Sequence, residues 1–458
     1  MSDLLKAPRA ELLKLIYDLV DENQSLKAQK AELKAKLSEK SPPGEKPSLP
    51  SFVKPNRKTK KKTERKKRSE GYVRMKDAPT QQAFHAYDVC PDCGGTLGKP
   101  AVSHTRQVID VELRPVTVTE HVICKRFCFS CRKRVAPKVS FAHLAPGKQR
   151  IGINLVSLIT TMRERMRLPI RVITLYLKTF HQLELSEGEI IELLHATACY
   201  GKPTYETIKQ TVLSADSLCA DETGGREDGI NGYLWNFTTN THQYLLYRKS
   251  RGSKVVAEFM GEEGEDFNGV LVTDFYAAYN VHSGFHQRCW THLLRDIHDL
   301  TENIPKDRKL KNWAKKVHTI YEEATDWSGP DLKLPLGIQA QERIEKEQYF
   351  RQKLKNICDP WLLTSKPMAP LCGRIIKFLP ELFTFIRFSG VPSTNNLAER
   401  TLRHSVVQRK IFGGTRSKKG SETKAILGSL FGTWNLQGLN PFIQCKQLLL
   451  QPVPCQRV

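Results

Sequence analysis

Two short apolar runs, each closing on an aspartate, restrict what this sequence can build. After Gly269, the residues Val270, Leu271, Val272 and Thr273 form a nearly continuous run that suits a strand buried on both faces of a sheet, and the run stops at Asp274. The other lies 53 residues upstream, where Ser217-Leu-Cys-Ala ends in Asp221 and Glu222-Thr-Gly-Gly225 is expected to leave the sheet in a turn. Carboxylates at C-terminal strand ends stand where open α/β sheets place their chemistry. A third acid, Glu399, follows 125 residues beyond Asp274, with Leu397 and Leu402 around it in a helix-like pattern. Three acids converging on one point would repel one another unless cations lay between them, so the trio is a natural cage for divalent metal.

The strings CADET, LVTDFYAAYN and STNNLAERTLR, in this order, resemble the three acidic blocks of the IS66-family transposases, DDE enzymes with a ribonuclease-H-like core. The resemblance extends to a leucine-zipper N-terminus, a basic segment, a CxxC…CxxC module and the stretch Cys289-Trp-Thr-His292-Leu-Leu-Arg295, and so covers nearly the whole chain. It implies Asp221, Asp274 and Glu399 as catalytic residues that hold two Mg²⁺ (or Mn²⁺) ions. DNA is then the substrate, as transposon ends and target, with accessory proteins of the element as further candidate partners.

A chain of 458 residues is too long for one ordinary core. Its 72 Lys and Arg against 48 Asp and Glu leave +24, which favours polyanions over small neutral substrates. No run approaches the length of a membrane span and Met1-Ser-Asp-Leu-Leu-Lys6 does not open like a signal peptide, so a cytoplasmic protein associated with chromosomal DNA, with no membrane partner, is expected.

The expected architecture is multidomain α+β. Leucines recur every seven residues at Leu12, Leu19, Leu26 and Leu33, with Ile16, Asn23, Lys30 and Leu37 between them. This seam predicts a coiled-coil helix over residues 1–40 and hence a homo-oligomer, with a helix packed on its own chain as the alternative. Residues 41–80 read as a basic disordered linker, in which Arg57, Lys58, Lys60, Lys61, Lys62, Arg65, Lys66, Lys67 and Arg68 could lie along phosphates. Cys90-Pro-Asp-Cys93 and Cys128-Phe-Ser-Cys131 can supply four thiolates to one structural Zn²⁺ in a zinc ribbon over residues 81–145, with Arg106–Leu113 and Val116–Arg126 alternating like a hairpin between them. The other cysteines, Cys199, Cys289 and Cys358 among them, read as reduced thiols.

Residues 146–212 read as a helical domain spaced like a helix-turn-helix; its third helix, Glu187–Ala198 after a Ser186 cap, is too acidic to be assigned base contacts. Residues 213–300 and 391–436 form the expected ribonuclease-H-like α/β catalytic core, interrupted by a helical insertion at 301–390 and followed by a C-terminal tail at 437–458. In that core Asp221 ends the first of three antiparallel strands, a helix at Lys254–Met260 follows, and the Asp274 strand returns beside the first. His292 and Arg295 on one helix, and Arg400, Arg403, Arg409 and Lys410 on the Glu399 helix, are spaced to reach a phosphate backbone. The function expected is transposition by metal-dependent strand cleavage and transfer, with a DNA-binding regulator or a nuclease on the same scaffold as the alternatives.

Overall fold

The computed structural model describes residues 78–109, 115–146, 149–261, 265–327 and 336–452. The heptad seam and the basic run from Arg57 to Arg68 lie outside them. The chain divides into two compact units, Met1–Ile109 and Asp110–Val458.

In the first unit, the Cys90 N–H donates to the Gly95 carbonyl at 2.9 Å and the Gly94 N–H to the Cys90 carbonyl at 2.8 Å. Gly94 turns the loop at φ +73°, a conformation that favours glycine, and Val89 and Thr96 close it as an antiparallel bridge.

The second unit begins with a small hairpin, β1 (Arg126–Cys128) and β2 (Lys133–Val135), in which Cys128 lies opposite Lys133. Apart from Arg126, which opens β1, the two longer alternating stretches expected to pair carry no strand among the described residues. Alternation alone gave them no face to bury, since Val118 and Val122 are both exposed. Three helices follow: α1 (Ile153–Glu164), α2 (Ile170–His181) and α3 (Glu187–Leu213). Ser186 caps α3 through a reciprocal capping box with Glu189. The expected stop at Ala198 is overridden: α3 runs on through Pro203 because Tyr200, Tyr205, Ile208 and Val212 continue its buried face. Cys199 is disulfide-bonded, against its reading as a reduced thiol.

The central sheet comprises β3 (Ser217–Glu227), β4 (Ile230–Thr238), β5 (Gln243–Arg248), β6 (Val270–Thr273) and β7 (His286–Arg288), in the order β5-β4-β3-β6-β7. The first three strands are antiparallel; α4 (Ser253–Met260) crosses over so that β6 lies parallel to β3, and β7 lies parallel to β6. The first and fourth strands are therefore neighbours, as expected.

One expectation fails within β3. Glu222 to Gly225 do not leave the sheet; the strand continues to Glu227, with Gly224 opposite Tyr233 and Gly225 opposite Gly232. The turn falls at Asp228 and Gly229, whose φ values of 50° and 75° make the two-residue geometry that matches strand twist. The glycines serve close approach instead, because a Cβ on Gly225 would meet the Tyr247 ring at 3.3 Å. Asp221 is thus mid-strand in β3, not at its end.

Residues alternating along the strands divide between two cores. Leu218, Ala220, Trp235, Phe237 and Leu271 face a layer built from α1–α3 and from α12 (Lys418–Leu436) and α13 (Pro441–Leu449). Cys445, Leu448 and Leu449 are buried in that layer, so the stretch read as a tail contains a packed helix. Cys219, Val270 and Val272 face the other layer, which contains α5 (Trp290–Asn303), α6 (Arg308–Trp327), α7 (Leu336–Cys358), α8 (Ala369–Lys377), α9 (Leu379–Leu382) and α10 (Thr384–Arg387). Trp290, Trp313, Phe350 and Phe383 share this core with the sheet, so the helical insertion covers one sheet face. α11 (Asn396–Phe412) lies on the same side, with Leu402 packed on Leu234 and Leu245. No helix among the described residues is long and apolar enough to cross a membrane.

Candidate active site

The register between β3 and β6 pairs Ser217 with Val270, Leu218 with Leu271 and Cys219 with Val272. Each pair is separated by the same 53 residues that separate Asp221 from Asp274, so continuing both chains two residues brings the aspartates level. Two residues is one side-chain period, which keeps Asp221 on the face of Cys219, while Asp274 stands one residue past β6 and its charge acts on Asp221. Asp221 accepts the Glu222 N–H at 2.9 Å. Asp274 leaves β6 in a tight turn, accepting the Tyr276 N–H at 2.8 Å.

Glu399 reaches this face because buried polar side chains fasten α11 to the sheet. Asn236, the cross-strand partner of Asp221, donates from Nδ2 to the Ala398 carbonyl at 3.1 Å and to Thr401 Oγ1 at 2.9 Å. Asn395, just before the helix, donates from Nδ2 to the Ala220 carbonyl at 2.7 Å and from its N–H to Cys289 Sγ at 3.1 Å. Gln243 completes the network, donating to Asn236 Oδ1 at 2.9 Å. These contacts bracket Glu399 from both sides of the helix's first turn.

The carboxylates act on one another. Burial first, then the charges of Glu222, Asp274 and Glu399, push the pKa of Asp221 up to about 7, although the Glu222 N–H opposes them. Among the described residues the tightest metal-capable cluster is a different set: Cys289, His292 and Glu399 each offer a ligand atom within 4.8 Å of the other two. Asp221 and Asp274 do not join Glu399 in a cluster that tight. His292 Nε2 lies 3.7 Å from Glu399 Oε1. Burial raises the Cys289 thiol, but hydrogen bonding with His292 and from the Asn395 N–H outweighs it and leaves the pKa below its ordinary value. Hydrogen bonding with Cys289 in turn raises His292, against partial burial. His292, read as facing phosphate, therefore lies against Cys289 and Glu399.

Sequence reasoning missed the supports. Arg288 is 1% exposed; its guanidinium donates to the Asp274 carbonyl at 3.0 Å, to Thr273 Oγ1 at 3.2 Å and to Asn280 Oδ1 at 2.6 Å, pairs with Glu381, and lies over the Phe378 ring. It holds the turn after Asp274 from beneath. Glu222 alternates to the opposite face, where Arg251 donates to it at 2.9 and 2.6 Å and Tyr279 at 2.6 Å. Its place beside Asp221 in CADET was the available signal.

Of the basic residues singled out, Arg295, Arg400, Arg403 and Lys410 are exposed. Arg409 is not free to meet DNA: its guanidinium donates to Thr223 Oγ1 at 3.2 Å and to the Gly224 carbonyl, tying α11 to β3. The two cysteine knuckles have distinct local frames. Cys90 opens the Gly94 turn, and the N–H groups of Asp92 and Cys93 lower its thiol pKa. Cys128 ends β1, takes the Cys131 N–H on its sulfur at 3.4 Å and is likewise lowered by it, while Arg132 adopts φ 49°.

Residues 148–423 match the family described as Transposase IS66 family. Two proteins of Sinorhizobium fredii (strain NBRC 101917 / NGR234) are similar along most of the chain. The uncharacterized protein y4hP is 22% identical over 385 residues, covering 77% of this chain and 68% of that protein. The uncharacterized protein y4jD is 20% identical over 395 residues, covering 79% and 74%.

Proposed function

The chain belongs to the IS66 family of transposases, and from that premise we propose that it binds the ends of its insertion sequence and catalyses metal-dependent DNA strand cleavage and strand transfer at Asp221, Asp274 and Glu399. One observation carries the reading: Asp221 within β3 and Asp274 one residue past its parallel neighbour β6, at equivalent register, beside the sheet face over which α11 carries Glu399. The strand order β5-β4-β3-β6-β7 supports a ribonuclease-H-like core.

The donor set suits hard divalent cations, Mg²⁺ or Mn²⁺. It consists of oxygens, its charges repel one another, and Glu399 Oε1 is buried with no hydrogen-bond donor. Asp221 would contact two ions, with Asp274 and Glu399 contacting one each; when bound, the ions activate the attacking oxygen and offset charge on the leaving one. The chain's own residues set the geometry. Arg288 fixes the turn that carries Asp274, while Asn236 and Asn395 fix the first turn of α11. Arg295, Arg400, Arg403 and Lys410 are assigned to phosphates, as is the run Arg57–Arg68, which makes binding salt-dependent. Cys90, Cys93, Cys128 and Cys131 are assigned to structural Zn²⁺ on their paired Cys-x-x-Cys spacing in the sequence. Self-association is assigned to the leucine seam at Leu12–Leu37.

The test is incubation with the element's own end sequences and Mg²⁺ or Mn²⁺, with product strands mapped. Cuts at the ends and joined products are expected, and Asp221→Asn should abolish both while retaining end binding. End binding without metal-dependent cutting would leave a DNA-binding regulator, and cutting without joining would leave a nuclease.

A further inference from the structure

Cys289 follows β7 and stands at the N-cap of α5; His292 follows one turn later, and Glu399 comes from the first turn of α11. Two elements, α5 with its cap and α11, thus deliver a sulfur, an imidazole nitrogen and a carboxylate oxygen to one place, all within 4.8 Å of one another. Tetrahedral zinc ligands stand roughly 3.5 Å apart, given bonds of about 2.0–2.3 Å. The His292 Nε2 to Glu399 Oε1 separation is already 3.7 Å, so a small contraction suffices. We propose that Cys289, His292 and Glu399 form a site for a thiophilic divalent ion of the Zn²⁺ class, distinct from the oxygen cage of the two aspartates and sharing Glu399 with it.

Two details favour a ligand here over a packed polar cluster. Glu399 Oε1 is buried with no hydrogen-bond partner, an expense a native interior seldom leaves without cause. The Asn395 N–H donates to Cys289 Sγ at 3.1 Å, the kind of outer contact that steadies a metal-bound thiolate. Cys289 is fully buried, while the His292 and Glu399 side chains are 30% and 32% exposed, so an ion can enter from their side. Three protein ligands leave a fourth position open. Sulfur and imidazole discriminate against Mg²⁺, whose preference is oxygen.

The ion binding stands on this geometry alone. Its consequence rests on the transposase reading: an ion held by Cys289 and His292 engages Glu399 and withdraws it from the aspartates, so Zn²⁺ should oppose Mg²⁺-dependent cutting.

The experiment is to load the full-length chain with Co²⁺, then with Zn²⁺, and to follow thiolate-to-Co²⁺ absorption and bound metal per chain. Wild type should hold one ion more than His292→Ala or Cys289→Ser, and Glu399→Gln should weaken that ion at least tenfold. The cysteine knuckles keep their share of the signal in every variant, so the comparison reads only the site in question. If Cys289→Ser fails to fold, the two partly exposed positions carry the test. Equal metal content and equal absorption in wild type, His292→Ala and Glu399→Gln would overturn the proposal. Zn²⁺ bound at this site with no effect on Mg²⁺-dependent cutting would leave the site standing and refute only the transposase consequence.

Discussion

Replacing Asp221 by Asn should make the metal-free protein more stable while destroying its activity. The carboxyl titrates at about 7 in the folded chain against 3.8 for the free group, because burial and the acids around it disfavour its charge. A folded pKa above the unfolded one gives stability that is full below pH 3.8 and is lost as pH rises through 7. Some three pK units at about 1.4 kcal/mol each amount to roughly 4 kcal/mol of destabilisation above pH 7. Asn keeps the shape and removes the charge, but accepts the Glu222 N–H more weakly, so a net gain of about 1–3 kcal/mol is expected. Thermal and urea unfolding of both proteins, in chelator, at pH 8 and again at pH 5, reads the effect; the advantage should shrink by more than half at the lower pH. Mg²⁺ should then raise the wild-type transition well above its effect on the variant, because a cation relieves the same repulsion. A variant less stable than wild type at pH 8, or an advantage that does not change with pH, would refute the electrostatic account.

Asn395→Ala leaves the buried Ala220 carbonyl without its donor, which should cost roughly 1–3 kcal/mol in urea unfolding and, by letting Glu399 drift, on the order of a hundredfold in cutting rate. Arg288→Lys keeps the charge but loses the planar fork that joins Glu381, Asn280 and the Asp274 carbonyl; about 3–5 kcal/mol of stability should go with it, and a loss under 1 kcal/mol in equilibrium unfolding would count against its role. Burial, then the Arg288 and His282 charges, push His286 down to about 3, so stability is full above pH 6.5 and falls as pH drops toward 3, by up to about 5 kcal/mol. His286→Gln should flatten that stretch of the acid-unfolding curve, and parallel curves would exclude His286 as its source.

The sheet was legible where sequence pattern and burial say the same thing. Val270–Thr273 is buried throughout, and apolar but for Thr273, because β6 has a neighbour on each side and a helical layer on each face, and the run ends where the chain turns at Asp274. β3 was misread for the opposite reason. Its second half pairs only with β4 and carries polar residues and glycines, which look like a turn, while the Asp228-Gly229 pair three residues on was the better signal. The length of α3 was hidden by Pro203, a helix breaker in isolation, and only Tyr205, Ile208 and Val212 beyond it reveal that the buried face continues.

The candidate site divides along the same physical line. The acids could be found because a carboxylate closing an apolar run has no packing reason to be there. Asn236, Asn395 and Arg288 could not, since a buried amide or guanidinium follows no period and is recognisable only from the carbonyl it meets. Arg409 makes the point from the other side. It shares helical spacing and charge with Arg403 and Lys410, yet its guanidinium is spent on Thr223 and Gly224, where glycine lets it come close. Spacing therefore identifies which cations lie on one helix, whereas the strand beneath decides which of them remain available to a phosphate. By that criterion Arg400, Arg403 and Lys410 should each weaken DNA binding and lower its salt slope when changed to Ala, while Arg409→Ala should loosen α11 and lower the unfolding temperature first.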